Sequence, residues 1–569
     1  MKKAFLAGSV LVASLLVGNI SSVAADDEIP SPKPVEIMRA RHDVSITSGA
    51  SMVWDLDAPA AVPAIVAMTE PIGTPPQPEP RALCTSADEA ACSPSTYPML
   101  SVSSVLGPCQ SDSEVGCIES LTSKNADGQF APLTLIAGGE TVHAENAALS
   151  LPRSATLSTW QDTTGARYVL TAHMSSSLRA SSGAWSPPTA STLTVLINRI
   201  SRTATHPAGW VSIIDSPSQP GRKTVSYANG TPFNTVEMAS GVRFNLKVRV
   251  PNTVSGWFQG RMANAVVGSR SLTNSRTVYE IEGDVLPVYI AGGEASSTDP
   301  NYPMKGSPNT GWINALSSPS QISLYDAWKP YFAGDKAVAT RNEWALTALA
   351  LPTNSCFDAA KGMTGVASSN SAFYSPTPPT YNPTTGAVDY KVASPHFDEK
   401  GVVAVGSYSL SVPTAAVQCL YKTDQVPESA ELSTTYDDGS TPYTVTKSLT
   451  NKDGWINVSV SGLHFSAPTI SARFGKPATG GNGFTSFAGS ATSAVAAVPR
   501  LAKGASKALS SIYRAKASQK PKWTASGACS LSGSKVLAKT KSGTCTVTVR
   551  VLNAKKKYVV VAKKVFTVS

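Results

Sequence analysis

Charged side chains are scarce in this sequence. They make up 15% of its 569 residues, against about a quarter in an average soluble protein. Coiled coils and other long-helix proteins, which depend on charged faces, are therefore excluded. Wholesale disorder is excluded too, because 42% of the residues are hydrophobic and disordered chains have fewer apolar residues and more net charge. The 41 glycines and 41 prolines indicate many turns, and the length leaves room for about three to five domains.

The patterns of common catalytic and metal sites are missing as well. The sequence has no Gly-x-Ser-x-Gly nucleophile turn, no Gly-x-x-x-x-Gly-Lys-Ser/Thr phosphate loop and no strand-linked Gly-x-Gly-x-x-Gly. None of the six histidines lies within metal-ligand spacing of another, and no His-Glu-x-x-His occurs. We therefore predict no catalytic residue, no metal, no cofactor and no enzymatic activity.

Paired catalytic carboxylates leave no fixed sequence pattern, because the two acids of a glycosidase can be far apart in the chain. The adjacent candidates are Asp55 with Asp57, Asp398 with Glu399, and Asp437 with Asp438. Acids next to each other more often belong to a turn, as Asp438-Gly439 indicates. A glycoside hydrolase with dispersed carboxylates remains an alternative.

A long apolar run occurs only at the N-terminus. Lys2 and Lys3 precede an apolar segment over 4–17, and small residues at 23–25 precede Asp26. This pattern predicts a secretory signal peptide over residues 1–25. The 14 residues of the run are fewer than the roughly 20 that a spanning helix needs. We expect a secreted protein, extracellular or associated with the cell surface, without an integral membrane segment after the signal is removed.

The eight cysteines agree with export, since an even number in a secreted chain normally means disulfides. Their positions favour the pairs Cys84 with Cys92, Cys109 with Cys117, Cys529 with Cys545, and the remaining long pair Cys356 with Cys419. Zinc sites usually have cysteines two to four residues apart with histidine nearby, so the spacing disfavours a metal.

Charge is unevenly distributed along the chain. Residues 500–569 contain 16 Lys and Arg and no Asp or Glu, whereas residues 26–499 contain 30 basic and 38 acidic residues. Such asymmetry suggests an anionic partner for the basic part. We expect an anionic cell-wall polymer or another anionic surface rather than nucleic acid. The alternative is a solvated face that serves solubility. The candidate contact residues are Lys516, Lys520, Lys522, Lys535, Lys539, Lys541, Lys555, Lys556, Lys557, Lys563 and Lys564.

The sequence predicts an all-β protein of several antiparallel, immunoglobulin-like β-sandwich domains joined by linkers rich in Pro, Gly, Ser and Ala. Alternating segments such as 193–197, 242–250 and 402–410 indicate strands. The predicted division is a signal peptide (1–25), a proline-rich leader with one or two strands (26–81), one or two large β domains (82–320), a second β domain (321–474), a flexible linker (475–495) and a basic sandwich (496–569).

Gly-Trp followed by an apolar residue occurs four times, with the tryptophans at 210, 257, 312 and 455. Each pair leads into a strand pattern. We therefore expect these tryptophans to pack in a core; an exposed sugar-binding role is the alternative.

The C-terminal segment resembles a known kind of domain. Lys522-Trp523-Thr524, Gly527-Ala528-Cys529-Ser530 and 543–549 resemble the bacterial immunoglobulin-like domains at the end of many exported actinobacterial proteins. Shorter patches at 108–121, 256–261, 393–397 and 419–421 resemble the same uncharacterised multi-domain secreted proteins. The resemblance implies a multi-domain extracellular β-protein in which Cys529 and Cys545 bridge a core hairpin. It supplies no catalytic residue.

Together these features favour a secreted or cell-surface structural or binding protein of adhesion type, without catalytic activity, attached through its basic C-terminal domain to an anionic polymer. The alternatives are a secreted carbohydrate-binding protein, with polysaccharide as its partner, and the glycoside hydrolase.

Overall fold

The computed structural model describes residues 29–33, 49–53, 62–69, 78–124, 128–201, 211–216, 221–227, 234–273, 275–303, 305, 311–314, 321–350, 354–357, 362–375, 377–435, 446–465, 468–475, 500–501, 503–509, 521–540, 543–552 and 558–568. The predicted signal peptide lies outside these ranges, and so do residues 476–495 of the predicted linker. In the described part, no helix is both long and apolar enough to cross a membrane.

The first twenty strands are β1 (Gly49–Val53), β2 (Ala64–Thr69), β3 (Glu79–Cys84), β4 (Met99–Val105), β5 (Cys117–Lys124), β6 (Ala131–Pro132), β7 (Thr134–Ala137), β8 (Thr141–His143), β9 (Ser154–Ala155), β10 (Ser158–Gln161), β11 (Arg167–Ser181), β12 (Ala184–Ser186), β13 (Ser191–Ile200), β14 (Val211–Asp215), β15 (Lys223–Tyr227), β16 (Arg243–Pro251), β17 (Gly256–Arg261), β18 (Ala263–Leu272), β19 (Arg276–Asp284) and β20 (Leu286–Ile290).

The following strands are β21 (Gly292–Ser296), β22 (Gly311–Asn314), β23 (Ala339–Glu343), β24 (Ala345–Ala350), β25 (Met363–Ser369), β26 (Phe373–Tyr374), β27 (Thr380–Asn382), β28 (Ala387–Ala393), β29 (Val405–Pro413), β30 (Ala430–Thr435), β31 (Thr446–Lys452), β32 (Trp455–His464), β33 (Thr469–Phe474), β34 (Arg500–Leu501), β35 (Ser506–Ala508), β36 (Lys522–Gly527), β37 (Cys529–Ser532), β38 (Lys535–Ala538), β39 (Gly543–Leu552) and β40 (Tyr558–Val568). The α-helices of the described part are α1 (Gln321–Trp328) and α2 (Thr414–Tyr421). The predicted all-β fold is confirmed.

One large sheet runs through most of the chain. Its main order is β3-β2-β4-β11-β13-β24-β17-β25-β29-β32-β31, with β7, β10 and β12 attached at the side. Neighbours along this path are antiparallel except β17 and β25, which are parallel. Both parallel and antiparallel pairs thus meet at the centre of the sheet.

Two further sheets cover opposite faces of this large sheet. The five-stranded sheet β18-β19-β16-β5-β6 shares a core with Phe258 and Val366, whereas the sheet of β26, β28, β33 and β30 shares a core with Trp257 and Ala367. Because successive residues of a strand point to opposite faces, β17 and β25 lie at the overlap of both cores. All seven residues of β25 are buried accordingly.

Strand pairing in this sheet crosses the predicted division of the chain at residues 320 and 321. β13 and β17 precede that point, but both pair with β24, which follows it. The division at 81 and 82 falls inside β3, which belongs to the same sheet. The pairing of strands therefore joins segments that the sequence pattern assigned to separate domains.

Other local predictions agree with the structure. All four disulfides have the predicted partners, with sequence separations of 8, 8, 63 and 16 residues. Trp257 and Trp455 are buried in the cores, Trp312 lies in β22, and Trp210 lies outside the described residues. The core-packing interpretation of the tryptophans is thus confirmed for two of them.

The C-terminal segment forms its own pair of sheets. Their orders are β34-β40-β39-β36 and β35-β38-β37, and apolar residues including Val536 and Val547 form the core between them. Cys529 begins β37 and Cys545 lies in β39. The disulfide therefore links the two sheets rather than the strands of one hairpin, which differs from what the resemblance implied.

Candidate anion-binding surface

Alternation in the C-terminal strands places cationic side chains outside and apolar side chains inside. In β38, Val536 and Ala538 are buried while Lys535 is exposed. Lys539 follows at the end of the strand, is exposed, and donates through Nζ to the Gly527 carbonyl at 3.2 Å. This sheet therefore presents ammonium groups to solvent.

The opposite sheet carries cations as well. Lys522 is exposed on β36, where its backbone pairs with Arg550 of β39. Arg550 is half-buried, and its Nη1 donates to Thr524 Oγ1 at 3.3 Å. Cationic groups thus lie on both sheets of this sandwich, so the positive charge surrounds the domain instead of marking one face.

Of the other eight predicted contact lysines, two lie in a described strand and six do not. Lys563 and Lys564 lie in β40, in register with Thr548 and Val547. Six lie outside the described residues: Lys516, Lys520, Lys541, Lys555, Lys556 and Lys557. The structure therefore brings Lys522, Lys535, Lys539, Lys563 and Lys564 into one sandwich.

Arg550 belongs to the surface but was missed in the list of candidate residues. The signal was present in the sequence, because Arg550 alternates with Val549 and Val551 and so must point away from the apolar face. The predicted contact residues were all lysines, and Arg550 was not among them.

The electrostatics of this domain follow from its composition. Residues 500–569 contain no Asp or Glu, so no carboxylate side chain of this segment can neutralise its 16 cations. A polyanion would be attracted to this positive charge over about 10 Å at 0.1 M salt.

Ser103 and His173 form a pair that resembles part of a nucleophile site. Their hydrogen bond joins Ser103 Oγ to His173 Nε2, and Ser103 Oγ also lies 3.2 Å from the Val62 carbonyl oxygen. Burial lowers the pKa of His173, which favours the neutral ring at pH 7. Both contacts are satisfied when Nε2–H donates to Ser103 and Ser103 donates to Val62, and no described carboxylate hydrogen-bonds to the ring. In this arrangement the serine hydroxyl donates to a backbone carbonyl, and the pair links neighbouring strands.

The two carboxylate candidates among the described residues, Asp398 and Glu399, both take part in hydrogen bonds within the fold. Asp398 Oδ1 accepts from the backbone N–H of Lys400 at 3.0 Å and of Val402 at 2.7 Å, which closes a turn. Its neighbour Glu399 accepts from Thr340 Oγ1 at 2.6 Å. The four other candidates, Asp55, Asp57, Asp437 and Asp438, lie outside the described residues.

Glu399 belongs to a cluster of three glutamates, with Glu237 and Glu343, that the sequence did not reveal. Burial raises the pKa of Glu237, and the charges of Glu343 and Glu399 add to the increase, whereas the hydrogen bond from Asn342 N at 2.7 Å opposes it. Oε2 of Glu237 and Oε2 of Glu343 are both buried from solvent. Solvent therefore does not reach these two oxygens.

His396 and Asp335 form a further contact, in which the ring Nδ1 meets Asp335 Oδ2. Burial alone would raise the pKa of Asp335, but the hydrogen bond and charge of His396 hold that pKa below its ordinary value. Within the described ranges, no group of three or more His, Cys, Asp or Glu side chains could hold a metal ion.

Comparison with known proteins adds no relative: no family model matches the sequence, and no curated protein matches it either.

Proposed function

We propose that this protein is an extracellular structural or binding protein without catalytic activity, held by its basic C-terminal sandwich to an anionic polymer of a cell wall. The observation that carries the proposal is a disulfide-linked β-sandwich whose cations lie on both sheets and whose sequence has no acid. A secreted location is part of the proposal; it is supported by the signal pattern in the sequence and by the four disulfides.

Charge on both sheets favours a flexible polymer over a flat surface. A flat anionic surface contacts one side of a domain at a time, whereas a polymer chain can follow cations around it. The acidic balance of residues 26–499 is repelled by the same polymer, so attachment through the C-terminal sandwich leaves the rest of the chain outward.

The test compares variants of the full chain for retention on purified cell walls. Replacing Lys522, Lys535 and Lys539 together by Gln removes three exposed cations, and replacing the same residues by Arg is the matched control that keeps the charge. We expect the Gln variant to elute at clearly lower salt than the wild type and the Arg variant to elute with it. All forms should elute by 1 M salt, where the screening length falls to about 3 Å.

A truncation ending at Pro499 provides the second arm. It should be released at low salt while the full chain stays bound. Equal retention of the Gln variant and the wild type, or equal release of the truncated and full chains, would show that the charge is merely solvated.

A further inference from the structure

A cleft lies on the outward face of the five-stranded sheet, far in sequence from the C-terminal sandwich. Its volume is about 320 Å³, and it is partly open to solvent. Gly268 and Val278 line its floor. In the sheet, Gly268 pairs with Glu280, which pairs with Lys247. Because Gly268 and Val278 are small, a gap remains between the long charged side chains around them.

The turn between β31 and β32 forms one wall of the cleft. Asp453 and Gly454 have φ angles of 43° and 79°, and Ser269 N donates to the Asp453 carbonyl at 3.3 Å. A Cβ at position 268 would lie 3.1 Å from Asp453 Cβ, so glycine allows the turn to approach. Trp455 Nε1 also donates to Ser269 Oγ at 2.8 Å. These contacts fix the wall.

Two glutamates on the rim are anchored by one oxygen each. Oε1 of Glu119 accepts from Arg249 Nη2 at 2.7 Å and from Nε at 3.1 Å. Oε1 of Glu280 accepts from Asn245 Nδ2 at 2.7 Å and from Lys452 Nζ at 2.8 Å. The rim is therefore preorganised, and it does not depend on a ligand to hold it.

The second oxygen of each glutamate is only loosely paired. Glu119 Oε2 lies 3.9 Å from Arg270 Nη2, and Glu280 Oε2 lies 3.5 Å from Lys247 Nζ. Both distances exceed the roughly 2.7–2.9 Å of a charge-assisted hydrogen bond. The side chains of Arg270 and Lys247 are 65% and 44% exposed, so these cations are accessible from solvent.

These loosely paired carboxylates and cations can form hydrogen bonds with the hydroxyl groups of a ligand. A hydroxyl both donates and accepts, so one placed at each loose pair would donate to the carboxylate and accept from the cation. The charges nearly balance, with Arg249 and Lys452 behind the rim offsetting the lining carboxylates, so a charged ligand would meet like charges at short range. We propose that this cleft binds one unit of an uncharged saccharide.

The proposal goes beyond attachment to an anionic polymer and is independent of it. The test uses ligand-observed NMR on the full chain with neutral oligosaccharides of glucose, mannose, galactose and N-acetylglucosamine. An acidic uronate oligosaccharide and a zwitterionic dipeptide serve as competing ligand classes. Binding in the cleft should survive 1 M salt, because the ligand is uncharged, whereas binding by the C-terminal sandwich should not.

The discriminating variant is Lys247→Met with Arg270→Met, which removes both cations, keeps unbranched side chains at both positions and leaves both glutamates anchored through Oε1. We expect it to weaken binding of a neutral oligosaccharide at least about tenfold, as loss of two hydrogen-bond donors implies, with an unchanged melting temperature. Lys223→Met is the control, since Lys223 is 41% exposed and paired with Asp215 at 3.1 Å on β15 and β14. No binding of any neutral oligosaccharide, equal binding by the double variant, or binding of only the uronate or the dipeptide would overturn the proposal.

Discussion

At the scale of single residues, Ser103 shows how a catalytic-looking pair can serve structure. Its hydroxyl joins three segments, since Val62 precedes β2, Ser103 lies in β4 and His173 lies in β11. A side chain that connects neighbouring strands in this way contributes to the stability of the sheet edge. Its loss would leave polar groups of both partners without their hydrogen bonds.

Replacing Ser103 by Ala should therefore lower the free energy of unfolding by about 2 kcal/mol, because two hydrogen bonds of about 1 kcal/mol each are lost. Urea unfolding monitored by circular dichroism measures this change. An unchanged stability would show that the contact contributes nothing.

His173 predicts a pH dependence of the same region. Burial lowers its pKa in the folded chain, whereas the unfolded chain takes up a proton near the ordinary value of about 6.5. The unfolded state then binds more protons, so this residue's contribution to stability is present above about pH 6.5 and is lost as the pH falls. Replacing His173 by Gln should remove that loss between pH 7.5 and 5.5 in urea unfolding, and replacing His143 by Gln should leave it in place. The same pH dependence in the His173 variant and the wild type would contradict the assignment.

At the scale of elements, β18 shows how two sheets can be joined through side chains. Asn457 of β32 accepts from Val267 N at 2.8 Å and donates to Val267 O at 3.1 Å. Ser409 of β29 accepts from Ala265 N at 3.2 Å. These side chains act as hydrogen-bond partners for an edge strand of the five-stranded sheet where it crosses the large sheet.

Replacing Asn457 by Ala should lower the free energy of unfolding by about 2 kcal/mol, because a buried backbone N–H and C=O lose their partner. Replacing Asn451 by Ala is the matched control: the residue is exposed on the neighbouring strand β31, so its change should stay within about 0.5 kcal/mol. Equal effects of the two substitutions in urea unfolding would show that the side-chain bridge does not stabilise the packing of β18.

Some elements could be predicted from the sequence and others could not, for a physical reason. The alternation over 242–250 predicted a strand, found as β16, because one face is apolar and the other polar. β25 carries no such signal, since both faces are covered and Gly365 leaves room for the Trp257 ring; a Cβ there would lie 2.2 Å from Trp257 Cζ3. Its small residues resemble a linker in the sequence.

A similar physical reason decides which of the two candidate sites could be predicted from the sequence. The charge of the C-terminal sandwich could be predicted because it is a property of composition. The cleft could not, because Glu119, Lys247 and Asp453 come from distant segments that only strand pairing brings together. Alternation predicts which face a side chain occupies, but it does not predict the neighbouring strand.

At the scale of the whole molecule, the large sheet makes distant parts of the chain depend on each other. β17 lies between β24 and β25, both of which follow residue 320. Trp257 and Phe258 of β17 are fully buried, each in a different core. Such long-range pairing must form before either core is complete, which is typical of slow-folding β proteins.

This dependence gives different expectations for two fragments. A fragment of residues 26–320 lacks β24, one of the two sheet neighbours of β13, and it lacks both sheet neighbours of β17. It would expose Trp257 and Phe258, whose burial contributes about 1.5–3 kcal/mol for each large apolar side chain. It should lack a native near-ultraviolet circular dichroism spectrum and a cooperative urea transition. A fragment of residues 26–475 keeps every described strand of the large sheet and should unfold cooperatively. A cooperatively folded 26–320 fragment would instead mean that residue 320 separates independent folding units, and that strand pairing across it adds little to the stability of either part.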